Sequence, residues 1–125
     1  MANWNKDEAL KLMEDWSLAH PGVKAVISMN DMMATGALEA VKGKAGFAGI
    51  QAYGVDSTLE ACLAIQEGRM TTLQDAKELV ELNMKSVHAL LKDEKTEITD
   101  DIGNPVITKE NATQYVDMYK KAGMI

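Results

Sequence analysis

The chain has 125 residues, 46% of them hydrophobic and 26% charged, the size and makeup of one globular domain with a single core. Its apolar runs are short, as in Val23 to Met29 where Lys24 interrupts, so none approaches the roughly 20 residues of a membrane-spanning helix. A net charge of -6, with one Arg among 13 basic residues, argues against a phosphate-binding surface and leaves no nucleic-acid partner to expect.

Asn5 opens the first helix as its cap, with Glu8 three residues on where a capping-box carboxylate belongs. Ala9, Leu12, Met13, Trp16 and Ala19 mark its apolar face, and His20, Pro21 and Gly22 end it. Val23 to Met29 is the first strand. Asn30 and Asp31 open a second helix, with Asp31 as the expected cap and Met33, Ala34, Ala37, Leu38 and Val41 at helical spacing. Gly43 to Gly46 is its exit, and Ile50 to Val55 is the next strand. Ser57 and Glu60 form the expected capping box of a third helix, which carries Leu59, Cys62, Leu63 and Ile65 and closes at Gly68.

Met70 to Leu73 is a short strand. Asp75 and Glu78 then cap the longest helix, whose stripe is Val80, Met84, Val87 and Leu91 and whose solvated end is Lys92 to Thr96. From Ile98 to Ile107, Asp100, Asp101, Gly103, Asn104 and Pro105 predict an irregular crossing with a short strand at Val106 and Ile107. Asn111 and Gln114 cap a last helix. Strict alternation of strand and helix predicts an α/β fold, a parallel sheet with helices on both faces. Residues 1–125 are expected to form a single truncated lobe, with 97–125 as the crossing tail and last helix. The opening helix has an apolar face but no preceding strand, so a piece of the fold is expected to be absent at the front.

In an open parallel α/β sheet, ligands bind beyond the carboxyl ends of the strands. The residues there are Asn30 and Asp31 after the first strand, Asp56 after the second, and Gln74 and Asp75 after the third, with Trp4 just before the first helix. Amides donate and accept, a carboxylate accepts, and an indole offers a flat apolar face, a set that suits the hydroxyls and C–H faces of a sugar.

The run Val26-Ile27-Ser28-Met29-Asn30-Asp31-Met32-Met33-Ala34-Thr35-Gly36-Ala37-Leu38, then Tyr53-Gly54-Val55-Asp56-Ser57, then Glu67-Gly68-Arg69-Met70 followed by Gln74, resembles the second lobe of the type I periplasmic sugar-binding proteins, the ribose-binding proteins and their relatives. Ala2-Asn3-Trp4 resembles another strand end of that lobe, and Val106 to Tyr115 the tail of the exported binders. The resemblance covers nearly all of this chain and only part of a family member. It implies a partial flavodoxin-like lobe of the sugar-binding component of an ABC-type transporter. The implied ligand contacts are Trp4 as a stacking face and Asn30, Asp56 and Gln74 as hydrogen-bonding groups.

The first lobe and the start of the second have no counterpart here, so half a cleft remains. The stripe of the longest helix, which covers the first lobe in relatives, then stands bare, as does a sheet edge that relatives pair. A second copy or a complementing chain is expected to cover them. The other implied partners are a monosaccharide, bound weakly or not at all, and the membrane permease served by the intact protein. The implied location is periplasmic or extracytoplasmic, although Met1 to Asp7 shows no export-signal pattern.

LacI-type effector domains share the Asn-Asp-x-Met-Ala-x-Gly-Ala and Gly-x-Asp patterns, so an effector-binding part of such a regulator is an alternative. So, from another class, is a phosphoacceptor receiver domain, given the length, the acidic pair Asp7 and Glu8, Asp56 and Lys109. No nucleophile–base pair, phosphate loop or carboxylate dyad points to an enzyme, and no cofactor is implied. His20 and His88 have no ligand-spaced companions, so no metal site is expected. Cys62 and the stripe residues Met13, Met33 and Met84 are expected in the core. Asn111-Ala112-Thr113 matches a glycosylation sequon but is assigned to the helix cap.

Overall fold

The structure, a computed structural model, describes residues 1–94 and 103–125. Each helix begins where a short polar side chain can accept the first free amides. Asn5 caps α1 (Lys6–Ala19), accepting from Asp7 N at 2.9 Å and Glu8 N at 3.1 Å. Glu8 does not close the box; its carboxylate accepts from Asn3 Nδ2 at 2.8 Å. Strand β1 is only Ala25–Ile27, shorter than the apolar run, because Val23 and Lys24 are taken up in the turn after α1.

Two caps stand one residue away from the expected position. Asn30, not Asp31, caps α2 (Asp31–Ala40), its Oδ1 accepting from Met33 N at 2.9 Å. After a 3-10 turn (Ala45–Phe47) and β2 (Gln51–Val55), Thr58 rather than Ser57 caps α3 (Leu59–Gln66), accepting from Ala61 N at 3.3 Å. In both cases the residue expected to cap is buried and bonded elsewhere. Strand β3 (Met70–Leu73) leads to α4 (Ala76–Leu91), which Asp75 caps as expected through Lys77 N and Glu78 N. Strand β4 (Val106–Ile107) precedes α5 (Ala112–Lys121). Asn111 stands at the start of α5 but turns back, accepting from Thr108 N and donating to the Val106 carbonyl, so it does not cap the helix. Ile98, Asp100, Asp101 and the far end of the expected Lys92 to Thr96 segment lie outside the described residues.

The sheet order is β1-β2-β3-β4, the first three strands parallel and β4 antiparallel to β3, with Leu73 opposite Val106. The expected all-parallel sheet thus acquires an antiparallel margin in the two-residue β4. Alternation sorts the two faces. Ala52, Gly54, Met70, Thr72 and Ile107 point into a core shared with Met13, Leu38, Ile65, Tyr115 and Val116. Ile27, Tyr53, Leu73 and Val106 point the other way and are exposed, so among the described residues helices cover one face where two covered faces were expected. Gly36 lets α1 and α2 meet: a Cβ there would stand 2.5 Å from the Lys6 carbonyl oxygen. Lys6 also bridges Glu39 at 3.2 Å and Glu60 at 2.6 Å, tying α1 to α2 and α3.

Helix α4 buries Ser86 and leaves its apolar stripe open. It makes no substantial packing contact with another described element, and Val80, Met84, Val87 and Leu91 are all exposed. Met84, expected in the core, is therefore on the surface, while Met13 is buried and Cys62 is fully enclosed as expected. Trp16 too is exposed on the apolar side of α1.

Candidate functional site

The three parallel strands end side by side. Ser28 N donates to the Tyr53 carbonyl, Asp56 N to the Leu73 carbonyl, and Gln74 N to the Pro105 carbonyl, so Asn30, Asp56 and Gln74 follow one another along one margin of the sheet. Asn30 is buried and commits its carbonyl oxygen to the cap of α2, leaving its amide nitrogen to donate outward. Asp56 is exposed, and the nearby backbone N–H of Asp31 favours its charged form. Gln74 is half-buried. Trp4 is 62% exposed in the turn before α1. Met1 and Ala2 of that turn line a cavity with Met29 and Met33, beside the start of α2. No bond joins the indole to the other three side chains.

Backbone conformation singles out the same residues. Among the described residues, the non-glycine positions with positive φ are Asn3, Trp4, Asp56, Ser57, Gln74 and Asp93. Trp4 (60°), Asp56 (111°) and Gln74 (79°), three of the four residues named from the sequence, are in this group. L-residues are held there at a cost of order 1–3 kcal/mol each, and such strain collects where side chains must be presented in a fixed direction.

Beneath this margin sits Asp31, fully buried, its carboxylate accepting from Thr72 Oγ1 at 2.6 Å and from Thr58 N at 2.8 Å. Burial pushes its carboxyl up to about 6; the bonds from Thr72 and Thr58 oppose that, and the neighbouring Asp56 adds to it. Burial also raises Asp56, opposed by the Asp31 N–H. Gly54 makes room for Asp31, since a Cβ there would fall 2.4 Å from Asp31 Oδ1. The sequence reading missed Thr72, Thr58, Ser57 and Gly54; the Gly54-Val55-Asp56 motif was the one local sign of them. Asp7 and Glu8, which a receiver domain would need at the end of a strand, lie in the first turn of α1. Among the described residues no cluster of His, Cys, Asp and Glu could hold a metal.

Comparison with known proteins identifies the family. Residues 1–95 match the family described as periplasmic binding protein domain. The chain is 34% identical over 113 residues to the xylitol-binding protein of Mycolicibacterium smegmatis, covering 88% of this chain and 32% of that protein. It is 29% identical over 111 residues to the ribose import binding protein of Salmonella typhimurium, covering 87% of this chain and 37% of the relative. The Caulobacter myo-inositol binding protein, solved with myo-inositol bound, superposes with a TM-score of 0.78 at 25% identity, over 94% of this chain and 42% of its own. The chain thus spans well under half the length of these relatives. On fold, strand-end geometry and sequence together, it belongs to the periplasmic binding protein domain family.

Proposed function

We propose that this chain supplies half of the ligand cleft of a sugar-binding component of an ABC-type transporter, and that it binds without catalysing. The observation that carries this is the left-handed backbone of Asp56 and Gln74 at neighbouring strand ends, shared by Trp4 in the turn before α1. Asp56 then accepts from ring hydroxyls, Gln74 donates and accepts, Asn30 donates through its free amide nitrogen, and Trp4 stacks on a C–H face. The ligand is a monosaccharide or a polyol of similar size, in keeping with the xylitol, ribose and myo-inositol named for its relatives. By itself this half of the cleft supplies about half the hydrogen bonds, and at about 1 kcal/mol each its own affinity lies in the millimolar range.

The intact assembly works with a membrane permease in the periplasm or its equivalent. The open sheet face and the bare stripe of α4 are covered by a second copy or a complementing chain. The exposed surface of 7998 Å² supports that reading, since a folded monomer of 13.6 kDa exposes about 6,600 Å².

A two-dimensional NMR titration of labelled protein with ribose, xylitol, myo-inositol and allose, up to tens of millimolar, tests the binding. Saturable shifts centred on Asn30, Asp56 and Gln74 are expected for at least one of them. Shifts spread evenly over the chain, or none, refute the reading.

A further inference from the structure

The turn that presents Asp56 is held from four sides. Asp31 on α2 accepts from Thr58 N at 2.8 Å, and Thr72 on β3 accepts from Ser57 N at 3.4 Å through its hydroxyl. The Leu73 carbonyl accepts both Asp56 N and Ser57 Oγ, at 3.2 Å each. Tyr119 on α5 donates its hydroxyl to the Ser57 carbonyl at 2.8 Å, and the Cys62 thiol on α3 reaches the same oxygen at 3.6 Å. Asp56 and Ser57 are adjacent residues at positive φ, a pairing that persists only where its surroundings over-determine it.

One side chain links these restraints. The Asp31 carboxylate takes the Thr72 hydroxyl and the Thr58 amide, and the Asp31 backbone N–H favours the charged form of Asp56 beside it. We propose that Asp31 is the positioning residue of the ligand margin: its buried carboxylate fixes the left-handed Asp56–Ser57 turn and so the direction in which Asp56 meets a ligand. This rests on the binding role assigned to Asp56 above. Bonds to a charged carboxylate are shorter and stronger than bonds to a neutral one, so the grip on the turn changes when Asp31 takes up a proton. The titratable groups facing Asp31 are Asp56 from the β2–α3 turn, Cys62 from α3 and Tyr119 from α5; β3 contributes the uncharged Thr72.

The test is an NMR pH titration of the full chain between pH 4.5 and 8, following the Asp31 carboxyl carbon and the amides of Asp56, Ser57 and Thr58. It is run on the wild type, Asp31→Asn and Thr72→Val. In the wild type the carboxyl and the turn amides should move with a common midpoint near 6. In Asp31→Asn, whose side-chain oxygen can still accept from Thr58 N, that transition should vanish from the turn while the spectrum stays dispersed. Thr72→Val removes a bond that favours the charged form, so the midpoint should rise, which a purely structural role would not cause.

A second arm repeats a xylitol titration above and below the midpoint. Affinity should fall on the order of fivefold on the acid side in the wild type and stay level in Asp31→Asn. Turn amides that do not follow the Asp31 carboxyl, or that keep their transition in Asp31→Asn, overturn the proposal. Turn amides that follow Asp31 while no sugar binds at any pH uphold the positioning and refute the binding reading alone.

Discussion

Stability should depend on pH through Asp31, in a direction opposite to that of most carboxylates. Its folded-state value is about 6, raised from 3.8 chiefly by burial. Between those two values the folded chain holds the proton more tightly than the unfolded chain, and stability therefore falls as pH rises through the window and levels off above it. A difference of roughly two units at 1.36 kcal/mol each sets a ceiling of about 3 kcal/mol, of which about 2 kcal/mol lies between pH 4.5 and 7.5. Asp31→Asn removes the proton while keeping an acceptor for Thr58 N and a donor toward Thr72, whose hydroxyl can rotate to accept. Urea unfolding of both proteins at the two pH values isolates this contribution, because the other carboxylates cancel in the comparison. The variant should gain about 2 kcal/mol on the wild type between pH 4.5 and pH 7.5. A gap that is the same at both values refutes the reasoning.

Gly36→Ala should cost about 2–3 kcal/mol in thermal or urea unfolding, because its Cβ would meet the Lys6 carbonyl 2.5 Å away and push α1 off α2. Trp4→Ala should leave stability within about 0.5 kcal/mol, since the indole is 62% exposed, while weakening sugar binding severalfold; urea unfolding checks the first and an NMR titration with xylitol the second. Cys62, buried and with its thiol pushed up to about 11 by burial, should react with iodoacetamide at pH 8 only after denaturant is added, as mass spectrometry of the intact chain would show.

What the sequence made legible was whatever depended on near neighbours. The caps at Asn5 and Asp75 were readable because each bonds amides two and three residues on. At Asn30-Asp31 and Ser57-Thr58, two adjacent polar residues fit the same local pattern, and the choice is made by distant β3: Asp31 and Ser57 both turn toward Thr72 and Leu73, leaving their neighbours to cap. The same limit hid the direction of β4, which shows only in its pairing with the distant β3. Periodicity identified an apolar stripe on α4 but is silent on whether anything lies against it, which is why Met84 was expected in the core. The strand-end rule brought Asn30, Asp56 and Gln74 together. The left-handed backbone of Asp56 and Gln74 was not legible, because no glycine marks those positions and the restraints come from residues far along the chain.

The two margins of the sheet also restrict how copies of this chain can combine through their strands. At one margin β1 pairs on one side only, with Ala25, Val26 and Ile27 bonded to β2; at the other stands β4, two residues long. Joining β1 of one copy to β4 of the next is a head-to-tail contact that repeats without end, but a two-residue strand offers it little backbone to pair. Joining β1 to β1 about a twofold axis uses the longer margin twice, runs the two strands antiparallel and leaves no free copy of it behind. Were copies to join through their strands, the unequal strand lengths would favour a closed pair over a filament.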